Sequence, residues 1–233
     1  MANKVRNFVI FNRAVVSTIA FAALTAPLFS MSAKAAGLQL MPGSPNFATA
    51  GAGHAAAGIG AGSAWANPAT MTLLEGRQVA VGAIAAKTNI EFDATDPAAN
   101  NGGDAGGEIY IPSFSYIDNL GEQLKYGLSV VVPFGNSLDY DDDWAGNNVA
   151  TEASTETIQL MSSLAYRINK QFSIGFGVTA NHTSVSQKLS MAITPRLKAD
   201  ASLEADGIDY GWTVGGLYEV NDKHRFGIVY RSQ

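Results

Sequence analysis

From Arg77 onward apolar and polar residues alternate with a period of two, the spacing of strands with one apolar face. Leu124, Tyr126, Leu128, Val130, Val132 and Phe134 alternate with Lys125, Gly127, Ser129, Val131, Pro133 and Gly135. The same rhythm runs through Ile158–Ile168, Phe172–Ala180 and Ile208–Val220, and begins again at Phe226, Ile228 and Tyr230. Two less regular strands are expected near 77–92 and 108–118. One face of each strand is aliphatic with aromatics toward its ends. The other face carries Gly, Ser, Thr and Gln.

Such a pattern fits either a soluble sandwich with an apolar core or a barrel whose apolar face meets lipid. Three features favour the barrel. The strands run to about 10 residues or more, which suits a tilted membrane crossing better than the usual five or six. Tyr126, Phe134, Tyr166, Phe172, Tyr210, Tyr218, Phe226 and Tyr230 fall near strand ends, where interfacial girdles place aromatics. Connections alternate between short turns (119–122, 169–170, 221–223) and long polar loops (about 93–107, 136–155, 184–207), as periplasmic turns and outer loops do. The expected fold is all-β: an antiparallel transmembrane β-barrel of about seven strands in this chain. Strands can cross hydrocarbon only when a closed sheet satisfies their backbone groups.

The N-terminal third reads differently. Lys4, Arg6 and Arg13 precede the apolar run Ala14–Phe29, and "SMSAKAAG" follows with Ala33 and Ala35 spaced as in a cleavage site. Residues 1–35 are therefore expected to be a secretory signal peptide, too short in its apolar part to anchor. Its removal takes four positive charges (Lys4, Arg6, Arg13, Lys34) and no acid from a chain of net charge −5, leaving −9. An acidic exported chain is a poor partner for nucleic acid, which needs Lys and Arg.

Residues 36–75 have no strand pattern. They are rich in Gly and Ala, yet carry Leu38, Leu40, Phe47, Ile59, Trp65, Met71, Leu73 and Leu74, which a flexible linker would not. The segment is expected to lodge inside the barrel as a plug. Asn67-Pro68 is the turn that ends it. Residues 76–233 are the barrel wall.

Composition removes several chemistries. The chain has no cysteine, so thiolate metal sites, Cys nucleophiles and disulfides are absent. Gly51, Gly53 and Gly58 form no phosphate-binding pattern. His54, His182 and His224 are scattered; His182 near Ser184 or Ser186 lacks an orienting partner, so no catalysis, metal or cofactor is expected. The acidic run Asp139–Trp144 departs from a calcium loop, with Trp144 where Gly is required. A solvated loop, or a cation bridge to lipopolysaccharide, are its alternatives.

Four stretches carry a family resemblance: "AGLQL" (Ala36–Leu40), "NPA" (Asn67–Ala69), "LAYRINKQFSIGFG" (Leu164–Gly177) and "GWTVGGLYEVNDKHRFGIVYRS" (Gly211–Ser232). In that order they resemble the FadL-type long-chain fatty acid transporters of Gram-negative outer membranes. The resemblance implies a fourteen-stranded barrel with an N-terminal hatch in its lumen. It implies passive transport of long-chain fatty acids or similar hydrophobic compounds, with lateral exit at a kinked strand. A non-specific porin or a structural outer-membrane barrel is the alternative. Outer-membrane lipid, lipopolysaccharide and the barrel assembly machinery are the implied partners. Seven strands are half the family's number, so the chain reads as the first half of such a barrel. Met41-Pro42 departs from the polar residues common after the opening motif. By resemblance Ala36, Gly37, Leu38, Leu40, Phe47, Asn67, Pro68 and Ala69 bound the pocket and exit. A ligand carboxylate would want a cation: Lys188, near the outer end of its strand, is one candidate headgroup partner. Arg167, beside a periplasmic turn, is the other, or an anchor for the plug. Arg231 shares the polar face with Arg167.

Overall fold

In a computed structural model the described residues are 40, 50–96, 98–194, 197–221 and 223–232, all within one compact unit, Gln39–Gln233. The expected signal peptide and the hatch residues Ala36, Gly37, Leu38 and Phe47 lie outside them.

Seven strands follow in order: β1 (Gln78–Lys87), β2 (Glu108–Asn119), β3 (Leu124–Asp139), β4 (Glu152–Arg167), β5 (Phe172–Thr194), β6 (Leu197–Asn221) and β7 (His224–Arg231). They form a single antiparallel sheet in sequence order, a half-barrel. No helix among the described residues is long and apolar enough to cross a membrane.

The sheet is inverted relative to a soluble protein. Ser129 and Met161 are 0 % exposed and Thr213 1 %, whereas Val81 and Tyr210 are each 79 % exposed and Ile228 74 %. A soluble sandwich would bury the aliphatic face. Here that face is bare and the serine–threonine face is covered, as a lipid-exposed wall requires.

The cover is the segment 50–74. It turns through Ala50–Ala56, forms α1 (Ser63–Ala66), and continues as a short 3-10 helix (Pro68–Leu73). Pro68 opens that helix, where its missing N–H costs nothing. Ala61, Ala64, Met71 and Leu74 pack with Ile117 of β2 and Ala165 of β4. Trp65 packs with Val131 of β3 and Met161 of β4.

Two loop expectations are corrected. Residues 136–139 and 152–155 continue β3 and β4, and most of 184–207 is the paired upper part of β5 and β6. Beyond the apolar band both faces of a strand can be polar, so alternation fades while the backbone ladder persists. The loop 140–151 remains irregular. There Trp144 stacks on Tyr140 (ring centroids 4.0 Å) and meets Phe92 edge-on. Among the described residues no group of three acids or histidines is placed to hold a metal, the Asp139–Trp144 run included.

The outer face should show a depth-dependent penalty. In the complete barrel, Phe176→Lys, in the middle of the apolar stretch of β5, is expected to cost about 2–4 kcal/mol, and Ser184→Lys, higher on the same face, about 0–1. Urea titration of folding into lipid vesicles measures both.

Candidate functional site

The register fixes which residues face the segment 50–74. On β4 these are Thr157, Gln159, Met161, Ser163, Ala165 and Arg167, paired with odd-numbered residues of β5 from Thr183 to Ser173. On β6 they are Asp209, Gly211, Thr213, Gly215 and Leu217, and on β7 Gly227, Val229 and Arg231.

Glycines on this face let the segment approach the wall closely. A Cβ at Gly127 of β3 would sit 2.8 Å from that of Ala64. One at Gly175 of β5 would lie 2.6 Å from the Pro68 carbonyl carbon, and one at Gly215 of β6 would overlap the Asn67 side chain. At Gly227 of β7 it would collide with the Ala55 carbonyl. Real Cβ contacts are wider, so these positions admit only hydrogen.

Asn67 is the pin in this cradle. It is 0 % exposed. Its Oδ1 accepts from the Ala69 N–H at 3.0 Å, capping the 3-10 helix. Its Nδ2 donates to the Ala55 carbonyl at 2.6 Å and lies 3.2 Å from the Gly216 carbonyl of β6 and 3.4 Å from that of Ile228 of β7. One amide thus joins two turns of the segment to two wall strands. Ala69, also 0 % exposed, follows directly.

Cations fasten the lower end. Arg167 Nη2 donates to the Thr72 carbonyl at 2.6 Å and lies 3.4 Å from Glu219. Lys125 Nζ donates to the Leu74 carbonyl and to Asn119 Oδ1. Higher up, the Trp65 indole donates to Gln159 at 2.7 Å, Gln159 to Asn181 at 2.7 Å, and Asn181 to Asp209 at 2.6 Å. That polar chain crosses β4, β5 and β6. The Arg231 guanidinium lies 4.2 Å from the centre of a Trp65 ring. Burial and Arg231 together hold the His54 imidazole below its usual pKa, so it is neutral at pH 7.

The wall itself has a break. Pairing of β3 with β4 shifts by one residue between Val131 and Phe134, a bulge at Val132-Pro133. The shift reverses the faces above it. Phe134, Asn136 and Leu138 pair with Thr157, Thr155 and Ala153, so Phe134 points to the polar face and not, as the alternation predicts, with Val130. Pairing of β2 with β3 also stops at Ser113–Val131, while β2 stays paired to β1 up to Glu108. Glu108–Pro112 and Val132–Asp139 therefore face each other without a ladder. The Leu40 N–H donates to the Pro133 carbonyl at 2.7 Å, so the N-terminal segment reaches this break.

Among the expected site residues, Asn67, Pro68, Ala69 and Arg167 meet the covered face, and Leu40 hydrogen-bonds the edge of β3 at Pro133. Lys188 does not. It pairs across from Glu152, shares the outward face with Phe172 and Phe176, and its Nζ lies 2.7 Å from the Glu152 carboxylate. Counting by two from Phe172 gives that placement directly. His182 is on the outward face too, opposite Ile158 and Ile208, with Ser184 and Ser186.

A profile of the family described as "Outer membrane protein transport protein (OMPP1/FadL/TodX)" matches residues 26–233. The chain belongs to this family. The long-chain fatty acid transport protein of Shigella flexneri is 26 % identical over 248 residues, covering 91 % of this chain and 54 % of that protein. The 47 kDa outer membrane protein of Pasteurella multocida is 29 % identical over 217 residues, covering 87 % and 50 %. Two solved structures share the fold. A Pseudomonas aeruginosa FadL homologue superposes with a TM-score of 0.60 at 23 % identity, over 74 % of this chain and 47 % of that one. The P. putida toluene transporter TodX gives 0.57 at 17 %, over 74 % and 51 %. The chain spans about half the length of the curated relatives it matches. Like the family's members, it is an outer-membrane β-barrel protein.

Loss of the pin should loosen the segment without unmaking the wall. Asn67→Ala leaves the Ala55 carbonyl and Ala69 N–H without their partner, a cost of about 1–3 kcal/mol. Gly215→Leu drives a side chain into the same place. In the complete protein, both variants are expected to speed hydrogen exchange across 50–74 while strand amides of β4–β6 stay protected.

Proposed function

We propose that the complete barrel carries long-chain fatty acids, or hydrophobic compounds of similar shape, passively across the outer membrane, with segment 36–75 as its hatch. Ligand enters from outside into the space above Trp65 and leaves sideways between β2 and β3. The observation that carries this reading is the unpaired stretch of β3 beside its bulge, bordered by Leu40. A polar-lined pore needs no gap in its wall; a route into the membrane does.

The chemistry agrees. Burying an acyl chain is worth about 0.8 kcal/mol per methylene, so an apolar site holds a long chain well. Release then needs a second arrangement of the site. The hatch is held by a small set of polar contacts, which suits it to shift. Phe134 and Leu138, turned inward by the bulge, give the lumen an apolar wall next to the gap. The relatives named as a fatty acid transport protein and a toluene transporter support the same ligand class. Insertion by the barrel assembly machinery, contact with lipopolysaccharide and the absence of catalysis belong to this reading.

In cells carrying the complete gene, labelled oleate uptake should exceed that of vector-only cells, and small sugars should enter no faster than in those controls. Deleting residues 36–70 should admit the sugars. Sugar entry matching oleate in the intact protein would instead identify a porin.

The gap has its own test. Deleting Val132 removes the extra residue of the bulge and restores a single register between β3 and β4 through the break. Oleate uptake is expected to fall to the vector-only level while the barrel still folds, as judged by heat-modifiable migration on gels. Undiminished uptake would rule out the lateral route.

A further inference from the structure

We propose that Arg231, assisted by His54, is the receptor for the ligand's carboxylate, and that it sits where it also holds the hatch. The proposal rests on the transport reading above and names the headgroup site within it.

Arg231 is on the inner face of β7, opposite Thr213 of β6. Through Nη2 it donates to the Trp65 carbonyl and, at 3.1 Å, to the Ala66 carbonyl, the last carbonyls of α1. Its Nε is closed off from solvent and has no hydrogen-bond partner among the described residues. Among the described residues no carboxylate pairs with it, whereas Arg167 and Arg225 both lie against Glu219. A guanidinium is always charged and presents its donors as a fork matched to a carboxylate. Here one part of the fork is spent on peptide carbonyls and another is unused.

His54 stands beside it with a second idle atom. Its ring lies 5.7 Å from the Trp65 ring, and its Nε2 is likewise buried without a partner among the described residues. His54 and Arg231 both line a cavity of about 440 Å³, whose other walls include Gly51, Gly53, Gly227 and Val229. Water occupies ~30 Å³ per molecule, so the space admits a headgroup and several methylenes. Small, apolar walls with two unpartnered nitrogen groups fit the carboxylate end of an aliphatic acid. They do not fit a sugar, which would need many polar partners.

Position links binding to motion. A carboxylate accepting from Arg231 competes with the Trp65 and Ala66 carbonyls for the same guanidinium. Neutralising that charge also weakens its hold on the Trp65 ring. The acid therefore favours the arrangement in which α1 has let go of β7, while a neutral ligand has no such differential contact.

The test compares oleate with oleyl alcohol, binding to the complete protein in lipid nanodiscs. Arg231→Gln should weaken oleate binding roughly ten- to hundredfold, the loss of a charge-assisted contact, and change oleyl alcohol binding by less than about twofold. Arg231→Lys, which keeps the charge but not the fork, should recover part of the oleate affinity. A measurement on unaltered protein guards against misfolded variants. Oleate should raise the pKa of His54, read from its imidazole ¹⁵N shifts, and oleyl alcohol should not. Equal loss of both probes, loss of neither, or a His54 deaf to oleate would overturn the assignment. So would an acidic partner for Arg231 from a further strand of the complete barrel. If unaltered protein binds neither probe, the transport reading itself fails.

Discussion

In hydrocarbon a strand can satisfy its N–H and C=O groups only through its neighbours, and every feature of this chain is arranged around that constraint. Seven strands pair in sequence order, so each interior strand is served on both sides along most of its length, with β2 and β3 parting above Ser113–Val131. The faces follow from the same rule. Once the ladder has consumed the backbone groups, the side chains alone decide which surface meets lipid, and the aliphatic row takes that side. What remains is a surface of Ser, Thr, Gly and Gln that would be wet if nothing lay on it. The segment 50–74 lies on it, and it does so through its backbone as much as its side chains.

That contact depends on what the wall lacks. Gly175, Gly215 and Gly227 come from three strands and converge on the two turns joined by Asn67, while Gly127 of β3 meets Ala64 and Met71. Removal of the Cβ atoms brings peptide groups of segment and wall within hydrogen-bond reach, and the Asn67 amide spans what the glycines leave open. The hold is therefore polar and geometric, with Trp65 and Met71 as its apolar anchors. A segment kept by interchangeable hydrogen bonds can exchange them for others, whereas one kept by a deep apolar core would have to expose that core in order to move.

The alternation made the strands of the wall visible from the residues alone, because lipid on one side and polar cover on the other impose contrasting chemistry at successive positions. That residues 50–74 pack against the wall was legible for a related reason: Leu, Trp and Met within a Gly/Ala run have no place in a linker. Where contrast was missing, so was the signal. Val130, Val131 and Val132 are alike, so the extra residue that turns Phe134 inward leaves no mark, apart from Pro133, which strands tolerate at edges and bulges. Lys188 was readable by parity, yet its depth along β5 drew attention away from its face. The upper parts of β5 and β6 looked like loop because polar residues on both faces erase the period. The chain of Gln159, Asn181 and Asp209, and the meeting of Arg231 with Trp65, required the register of several strands at once.

The pairing of β5 with β6 has a reach that the other strands do not share. β4 contributes its last rung at Glu152, opposite Lys188, but β5 and β6 continue together to Thr194 and Leu197. Six further residues at about 3.3 Å each make a ribbon some ~20 Å long above that rung. A two-stranded ribbon twists more strongly than a sheet and is stiffer than a loop. A pull on its tip would therefore be felt in the same two strands whose lower halves carry Gly175 and Gly215, against which Pro68 and Asn67 lie.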